Sequence, residues 1–105
     1  MKAILAAAAI VLSPLQAFAD FHNGNSLYQF CKSTDPTDRT RLVFYSIGAS
    51  DQLIGAAFCP PQSVNAGQVA DLICQHLAQH PETRDQLASV LIFQTLRETW
   101  PCQKR

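Results

Sequence analysis

The feature that most constrains the fold is a stretch bounded by Cys59 and Cys102, with two amphipathic helical patterns between them. The first pattern begins at Asn65, a favourable N-cap residue, and Gln68 stands three positions later, as in a capping box. The second begins at Pro81, since proline is tolerated in a first helical turn. The link between them is short, so the sequence predicts an antiparallel helical hairpin. The residues on the two helical stripes are Val69, Leu72, Ile73 and Leu77, then Leu87, Ala88, Leu91 and Thr95.

The hairpin also constrains how the four cysteines pair. Cys59 precedes the first helix and Cys102 follows the second, so an antiparallel arrangement brings both to the same end. Cys74 lies roughly 14 Å along the first helix, whereas a disulfide requires Cα atoms within about 7 Å of each other. This argument favours a Cys59–Cys102 bridge and leaves Cys31 to pair with Cys74. Sequence alone allows three connectivities.

Residues 1–19 have the pattern of a secretory signal peptide. Lys2 precedes an apolar run, and Ala17–Ala19 is typical of a cleavage site. The alternative is a membrane anchor, but the run is too short to span a bilayer, and no later run is long enough either. Residues 20–105 are therefore expected to form one small exported domain. Its even number of cysteines favours two disulfides and an oxidising compartment.

The remainder of the domain is also predicted to be helical. A short helix within residues 21–32 is expected to begin at Asn25 or Ser26, and the polar stretch 33–40 is expected to be a loop. Residues 41–58 are strongly apolar, and their length favours one long central helix over a strand at 42–47. Gly48 and Gly55 in this helix would permit close approach of a neighbouring helix. The predicted fold class is all-α, a small disulfide-stapled bundle of about four to five helices.

No residue pattern predicts catalysis or a cofactor. His76 and His80 have the spacing of two metal ligands, but Leu77 stands where the zincin pattern requires glutamate, and no third ligand is evident. No C-x-x-C pair indicates zinc, and no G-x-S-x-G elbow indicates a nucleophile. Lys and Arg number eight, as do Asp and Glu, with no basic stripe, so nucleic acid is not an expected partner. Trp100 is interpreted as packing beside the disulfide rather than as an interface anchor.

Several short motifs follow one another along residues 20–105. In order they are Asn23-Gly24-Asn25-x-Leu27-Tyr28-x-x-Cys31, Tyr45-x-x-Gly48-x-x-Asp51, Phe58-Cys59-x-Pro61-x-x-Val64-x-x-x-Gln68, Leu77-x-x-His80-Pro81-Glu82 and Trp100-Pro101-Cys102. With them the chain resembles the Rap/Tai-type immunity proteins of type VI secretion. That family usually carries a cysteine three residues before the tyrosine of its Y-x-x-G motif. Here Leu42 occupies this position and Cys74 is the fourth cysteine, which implies that one bridge is rewired.

The resemblance implies an all-α periplasmic protein, usually dimeric, that binds a peptidoglycan amidase effector and inhibits it sterically without being an enzyme. It would occlude the active-site cleft of the amidase with a loop or a helix end. Two loops are candidates by exposure, and their residues are Pro60, Pro61, Gln62, Ser63, Gln79, His80 and Glu82. Two other classes stay open. One is a small periplasmic helical chaperone or stress protein, and the other is an orphan envelope domain that has the same fold but no cognate toxin.

Overall fold

The computed structural model describes residues 22–103, and the predicted signal peptide at residues 1–19 lies outside this range. Four α-helices follow one another: α1 (Gly24–Lys32), α2 (Pro36–Ser50), α3 (Ala66–Gln79) and α4 (Ala88–Thr99). Single 3₁₀ turns cover Asp51–Leu53 and Pro81–Thr83. The described part of the chain contains two isolated β-bridges and no strand. The predicted all-α fold is therefore confirmed.

All four helices contribute to one hydrophobic core. Two polar side chains of α2 also lie inside it, because Ser46 donates to the Leu42 carbonyl and Ser50 to the Ser46 carbonyl, each at 2.8 Å. Such bonds to the carbonyl four residues earlier satisfy a buried hydroxyl within its own helix. The buried apolar residues are Leu27, Leu42, Phe58, Val69, Ala70, Ile73, Leu77, Ala88, Leu91, Ile92 and Leu96.

The first helix begins earlier than predicted. Asn23, rather than Asn25 or Ser26, is the N-cap of α1. Its side chain accepts from the Ser26 amide at 2.9 Å, and the Ser26 hydroxyl accepts from the Asn23 amide at 3.1 Å. In most capping boxes a glutamate or glutamine side chain accepts from the amide of the N-cap residue, and here Ser26 does so.

The central helix is displaced from its predicted position. It begins at Pro36, inside the stretch predicted as a loop, because Asp35 caps it by accepting from the Thr37 amide at 2.9 Å. It ends at Ser50, so the prediction of a single helix over residues 41–58 is wrong, as is the alternative strand at 42–47. Beyond the 3₁₀ turn, Gly55 has φ +87°, a left-handed conformation that glycine adopts readily and that ends helical geometry.

The helical hairpin is present with one boundary moved. Asn65 and Gln68 form the predicted capping box at the start of α3. The second helix begins at Ala88 and not at Pro81. The segment before it bonds instead to the start of α1, through Gly24 N–H to Gln86 O at 2.9 Å and Ala88 N–H to His22 O at 2.9 Å. Tertiary partners for its backbone therefore outweigh the local helical pattern.

Two disulfides tie these elements together. Cys31 of α1 is bonded to Cys74 of α3, with Cα atoms 5.7 Å apart. Cys59 is bonded to Cys102, with Cα atoms 4.9 Å apart, across the end of the hairpin. These are the two pairs that the hairpin geometry favours. Leu42, where the resemblance leads us to expect a cysteine, is 1 % exposed and belongs to the core.

Candidate functional site

An open apolar groove lies where α2 ends, α3 begins and α4 ends. Its volume is about 320 Å³. The residues 59–65, which connect the central part of the chain to α3, form one wall. The lining residues are Ile47, Ser50, Asp51, Ile54, Phe58, Pro60, Pro61, Gln62, Val64, Asn65, Ala66, Val69, Leu96 and Trp100.

The groove continues from the core to solvent. Phe58 and Leu96 at its base are almost fully buried, whereas Ile54 at its rim is 52 % exposed. Trp100 is half-buried and packs against the core, as predicted, and it also lines the groove. A concave apolar surface with an exposed rim is typical of a binding site for an apolar group.

The wall formed by residues 59–65 is held at both ends. At one end Cys59 is bonded to Cys102, and its amide donates to the Trp100 carbonyl at 2.8 Å. At the other end the Asn65 amide donates to the Gln68 side chain at 2.8 Å. Pro60 and Pro61 restrict the backbone between these points. Because the wall is already ordered, less conformational entropy is lost when a ligand binds to it.

The structure divides the predicted contact residues between two surfaces. Pro60, Pro61 and Gln62 line the groove, and Ser63 is exposed beside them. Gln79, His80 and Glu82 lie at the other end of α3, roughly 20 Å away at 1.5 Å rise per residue. Ile47, Asp51 and Ile54 also line the groove. Their sequence pattern did not indicate a site, because it predicts one mostly buried helix over residues 41–58. Because α2 ends at Ser50 and the 3₁₀ turn Asp51–Leu53 follows it, Ile54 lies at the surface and not inside a helix.

The second surface carries two histidines and a carboxylate. The His76 and His80 rings lie 4.5 Å apart, and His80 Nδ1 is 3.1 Å from Glu82 Oε2. Burial lowers the pKa of His76, and the neighbouring His80 adds to this, against the weaker opposing effect of Glu98 and Glu82. Glu82 has a lowered pKa because of a backbone hydrogen bond at its own residue and the His80 side chain. Within residues 22–103 no three His, Cys, Asp or Glu side chains are grouped so that they could hold a metal ion.

A third surface lies between α1 and α2. It is a shallow depression lined by His22, Phe30, Arg41, Phe44 and Tyr45 together with two threonines. Phe44 is 71 % exposed, and the His22 ring packs edge-on against the ring of Tyr45 at 5.1 Å.

The groove is lined mainly by apolar side chains. Among the described residues that line it, Asp51 is the single ionisable side chain. All four cysteines are in disulfides. No helix between residues 22 and 103 has the length and apolar character needed to cross a membrane.

Comparison with known proteins identifies a family. The family model described as Rap1a immunity proteins matches residues 23–102 of the chain. No curated protein matches it at a significant level.

Proposed function

The chain belongs to the Rap1a immunity protein family, and from this premise we propose that it binds a peptidoglycan amidase delivered by type VI secretion and inhibits that enzyme in the periplasm. The observation that carries the proposal is the family match, which extends over nearly all of the described residues. An immunity protein protects its own cell from a secreted effector, so its essential property is tight and specific binding. The groove and its rigid wall provide a surface for such binding.

The contact is proposed to centre on the groove. An apolar side chain of the amidase enters between Ile54 and Trp100, where it replaces solvent over a surface that is already apolar. The exposed wall residues Pro61, Gln62 and Ser63 then lie against the rim of the amidase cleft. Their rigid backbone blocks the access of a peptidoglycan strand without any chemical step on the immunity protein.

The periplasm is proposed as the site of action for two reasons. Residues 1–19 have the pattern of a secretory signal peptide. The two disulfides require an oxidising compartment to form and persist. Peptidoglycan amidases act in this same compartment, so inhibitor and effector would meet there.

A homodimer that presents two grooves also belongs to the proposal, because the resemblance to the Rap/Tai-type family implies it. Sedimentation velocity of purified residues 20–105 across a range of concentrations measures the association state directly. A single monomeric species at micromolar concentration would contradict this part of the proposal and leave the inhibition itself untouched.

Inhibition is tested with disulfide-bonded residues 20–105 and the type VI amidase effectors of the same strain. We expect one of them to bind with nanomolar affinity in calorimetry and to lose its activity on purified peptidoglycan at equimolar inhibitor. Deletion of the gene should make the strain sensitive to sister cells that carry an active secretion system. Undiminished survival of the deletion strain, together with failure to bind any of these hydrolases, would contradict the proposal. Recovery of many unfolded periplasmic proteins on the purified protein would favour a chaperone.

A further inference from the structure

The end of α3 opposite the groove carries a pair of stacked imidazole rings. His76 lies in the last turn of α3, and His80 is the C-cap residue, so both belong to the point at which the chain leaves the helix. Their ring centroids are 4.5 Å apart and their planes differ by 33°. The 3₁₀ turn Pro81–Thr83 follows His80 directly.

Charged groups from each neighbouring element face the pair. Glu82 of the 3₁₀ turn contacts His80 at 3.1 Å, and Glu98 of α4 lines the same depression as His76, which has a volume of about 160 Å³. Arg84, a cation on the segment that follows the 3₁₀ turn, is held at the end of α3, because its Nε donates to the Leu77 carbonyl at 2.6 Å. The pair thus lies between two carboxylates and a helix terminus whose dipole attracts positive charge.

We propose that His76 and His80 form a proton-operated latch for the connection between α3 and α4. With at most one proton on the pair, the rings stay stacked, because the carboxylates and the helix terminus compensate a single charge. With a proton on each ring, two like charges at a centroid distance of 4.5 Å repel each other. The rings then part, and the backbone of residues 79–83 moves with His80, which is joined directly to that turn.

The direction of the pH dependence follows from His76. Its pKa in the folded protein is lowered mainly by burial and then by His80, whereas the unfolded chain has the ordinary value of about 6.5. Between these two pKa values the unfolded state binds more protons than the folded state, so stability falls as the pH decreases. The loss begins near pH 6.5 and is complete once the pH is below the folded pKa of His76.

This inference concerns the intrinsic behaviour of the protein and is independent of the proposed inhibition. It is tested by recording the two-dimensional NMR spectrum of disulfide-bonded residues 20–105 between pH 8 and pH 4.5. We expect the imidazole signals of His76 to shift as the pH falls below about 6.5. The amide signals of Gln79, His80, Glu82 and Thr83 should shift over the same range, and the melting temperature should fall with them.

Two variants separate the latch from general acid sensitivity. His76→Gln keeps a polar side chain of similar length but cannot charge, so the shifts of residues 79–83 should decrease at least twofold and the melting temperature should become less dependent on pH. His22→Gln, at the remote contact with Tyr45, is the matched control and should behave as the unaltered protein. Amide shifts in His76→Gln that equal those of the unaltered protein would overturn the proposal. His80→Gln provides the same comparison should His76→Gln fail to fold.

Discussion

At the level of single residues, Gly24 lacks space for a side chain. A Cβ atom added there would lie 2.6 Å from Leu91 Cδ1 and 2.7 Å from the Arg84 carbonyl oxygen. The backbone of Arg84 cannot move freely, because its carbonyl accepts from the Asn25 amide at 2.8 Å. We therefore expect Gly24→Ala to lower the free energy of unfolding by about 1–3 kcal/mol, as overpacking does. Urea denaturation followed by circular dichroism measures this change.

Gly48→Ala is the matched control. No described atom lies within 4 Å of the position of its added Cβ, and Gly48 is exposed in the interior of α2. Alanine there should raise the free energy of unfolding by about 0.5–1 kcal/mol, because it restricts the unfolded chain. If both alanine variants changed stability in the same direction, close packing around Gly24 would not be the cause.

The glycines of this protein illustrate a limit of prediction from sequence. The prediction that Gly48 and Gly55 permit close approach of a neighbouring helix is wrong, because no neighbouring helix lies within 4 Å of a Cβ added at either position. The close approach occurs at Gly24, whose neighbours Arg84 and Leu91 are distant in sequence. Which glycine faces a neighbouring backbone depends on tertiary packing, and no local pattern around residue 24 contains that information.

At the level of secondary-structure elements, Arg84 connects three parts of the fold. Its guanidinium lies 3.9 Å from the centroid of the Tyr28 ring on α1, and its Nε donates to the last turn of α3 at Leu77. Arg84→Ala should therefore cost about 1–3 kcal/mol of stability, from a lost charged hydrogen bond and a lost cation–π contact. Thermal unfolding measures this loss.

Arg97→Ala serves as the comparison for Arg84. Arg97 is exposed and its guanidinium lies 5.4 Å from the Phe93 ring, a longer and more solvated contact. Its replacement should change stability by less than about 0.5 kcal/mol. Equal losses in the two variants would indicate that Arg84 does not act through its specific contacts.

Helix boundaries were predictable where neighbouring residues determine them, and not where residues distant in sequence do. The start of α3 was predicted correctly, because the capping box of Asn65 and Gln68 is contained in four consecutive residues. The start of α4 was not, because the backbone of residues 84–88 bonds to residues 22–25. In the candidate site, Pro60, Pro61 and Gln62 were predicted from their loop, whereas Ile54 required knowledge of where α2 ends.

The two disulfides have equal loop lengths and unequal positions, which permits a direct comparison. Each closes a sequence separation of 43 residues, so the chain-entropy argument gives about 4 kcal/mol for the loss of either bridge. Replacing Cys31 and Cys74 by alanine should therefore lower stability about as much as replacing Cys59 and Cys102. Denaturation of both double variants at low temperature measures the two losses.

The double variants should differ in binding, because only one bridge borders the groove. Without the Cys59–Cys102 bridge, residues 59–65 have more conformational freedom in the unbound protein. Binding of the effector removes this freedom, and the loss of conformational entropy weakens the binding. Affinity should fall at least tenfold in that variant and little in the variant without Cys31–Cys74. Equal affinities in the two folded variants would show that the rigidity of the wall does not contribute to binding.

At the level of the whole molecule, the groove, the histidine pair and the aromatic depression between α1 and α2 are three separate surfaces, and the proposed function assigns the effector to one of them. Ile54 and Phe44 distinguish the groove from the aromatic depression, since each is a large apolar side chain that is more than half exposed, at 52 % and 71 %. Ile54→Glu places a carboxylate at the rim of the groove, beside Asp51, where the effector would bury it. We expect the affinity for the amidase to fall about 100-fold, since an unpaired buried charge costs several kcal/mol and 1.4 kcal/mol corresponds to tenfold.

Phe44→Glu is the matched control, because it makes the same change of charge on the aromatic depression. Both side chains are exposed, so both variants should keep the melting temperature of the parent protein within a few degrees, which separates binding from folding. Calorimetry with the purified amidase should then show a large loss for Ile54→Glu and a small one for Phe44→Glu. The reverse order would move the contact to the depression between α1 and α2 and contradict the assignment of the groove. Such a result would leave the family and its inhibitory role in place, because neither depends on which face of the bundle meets the enzyme.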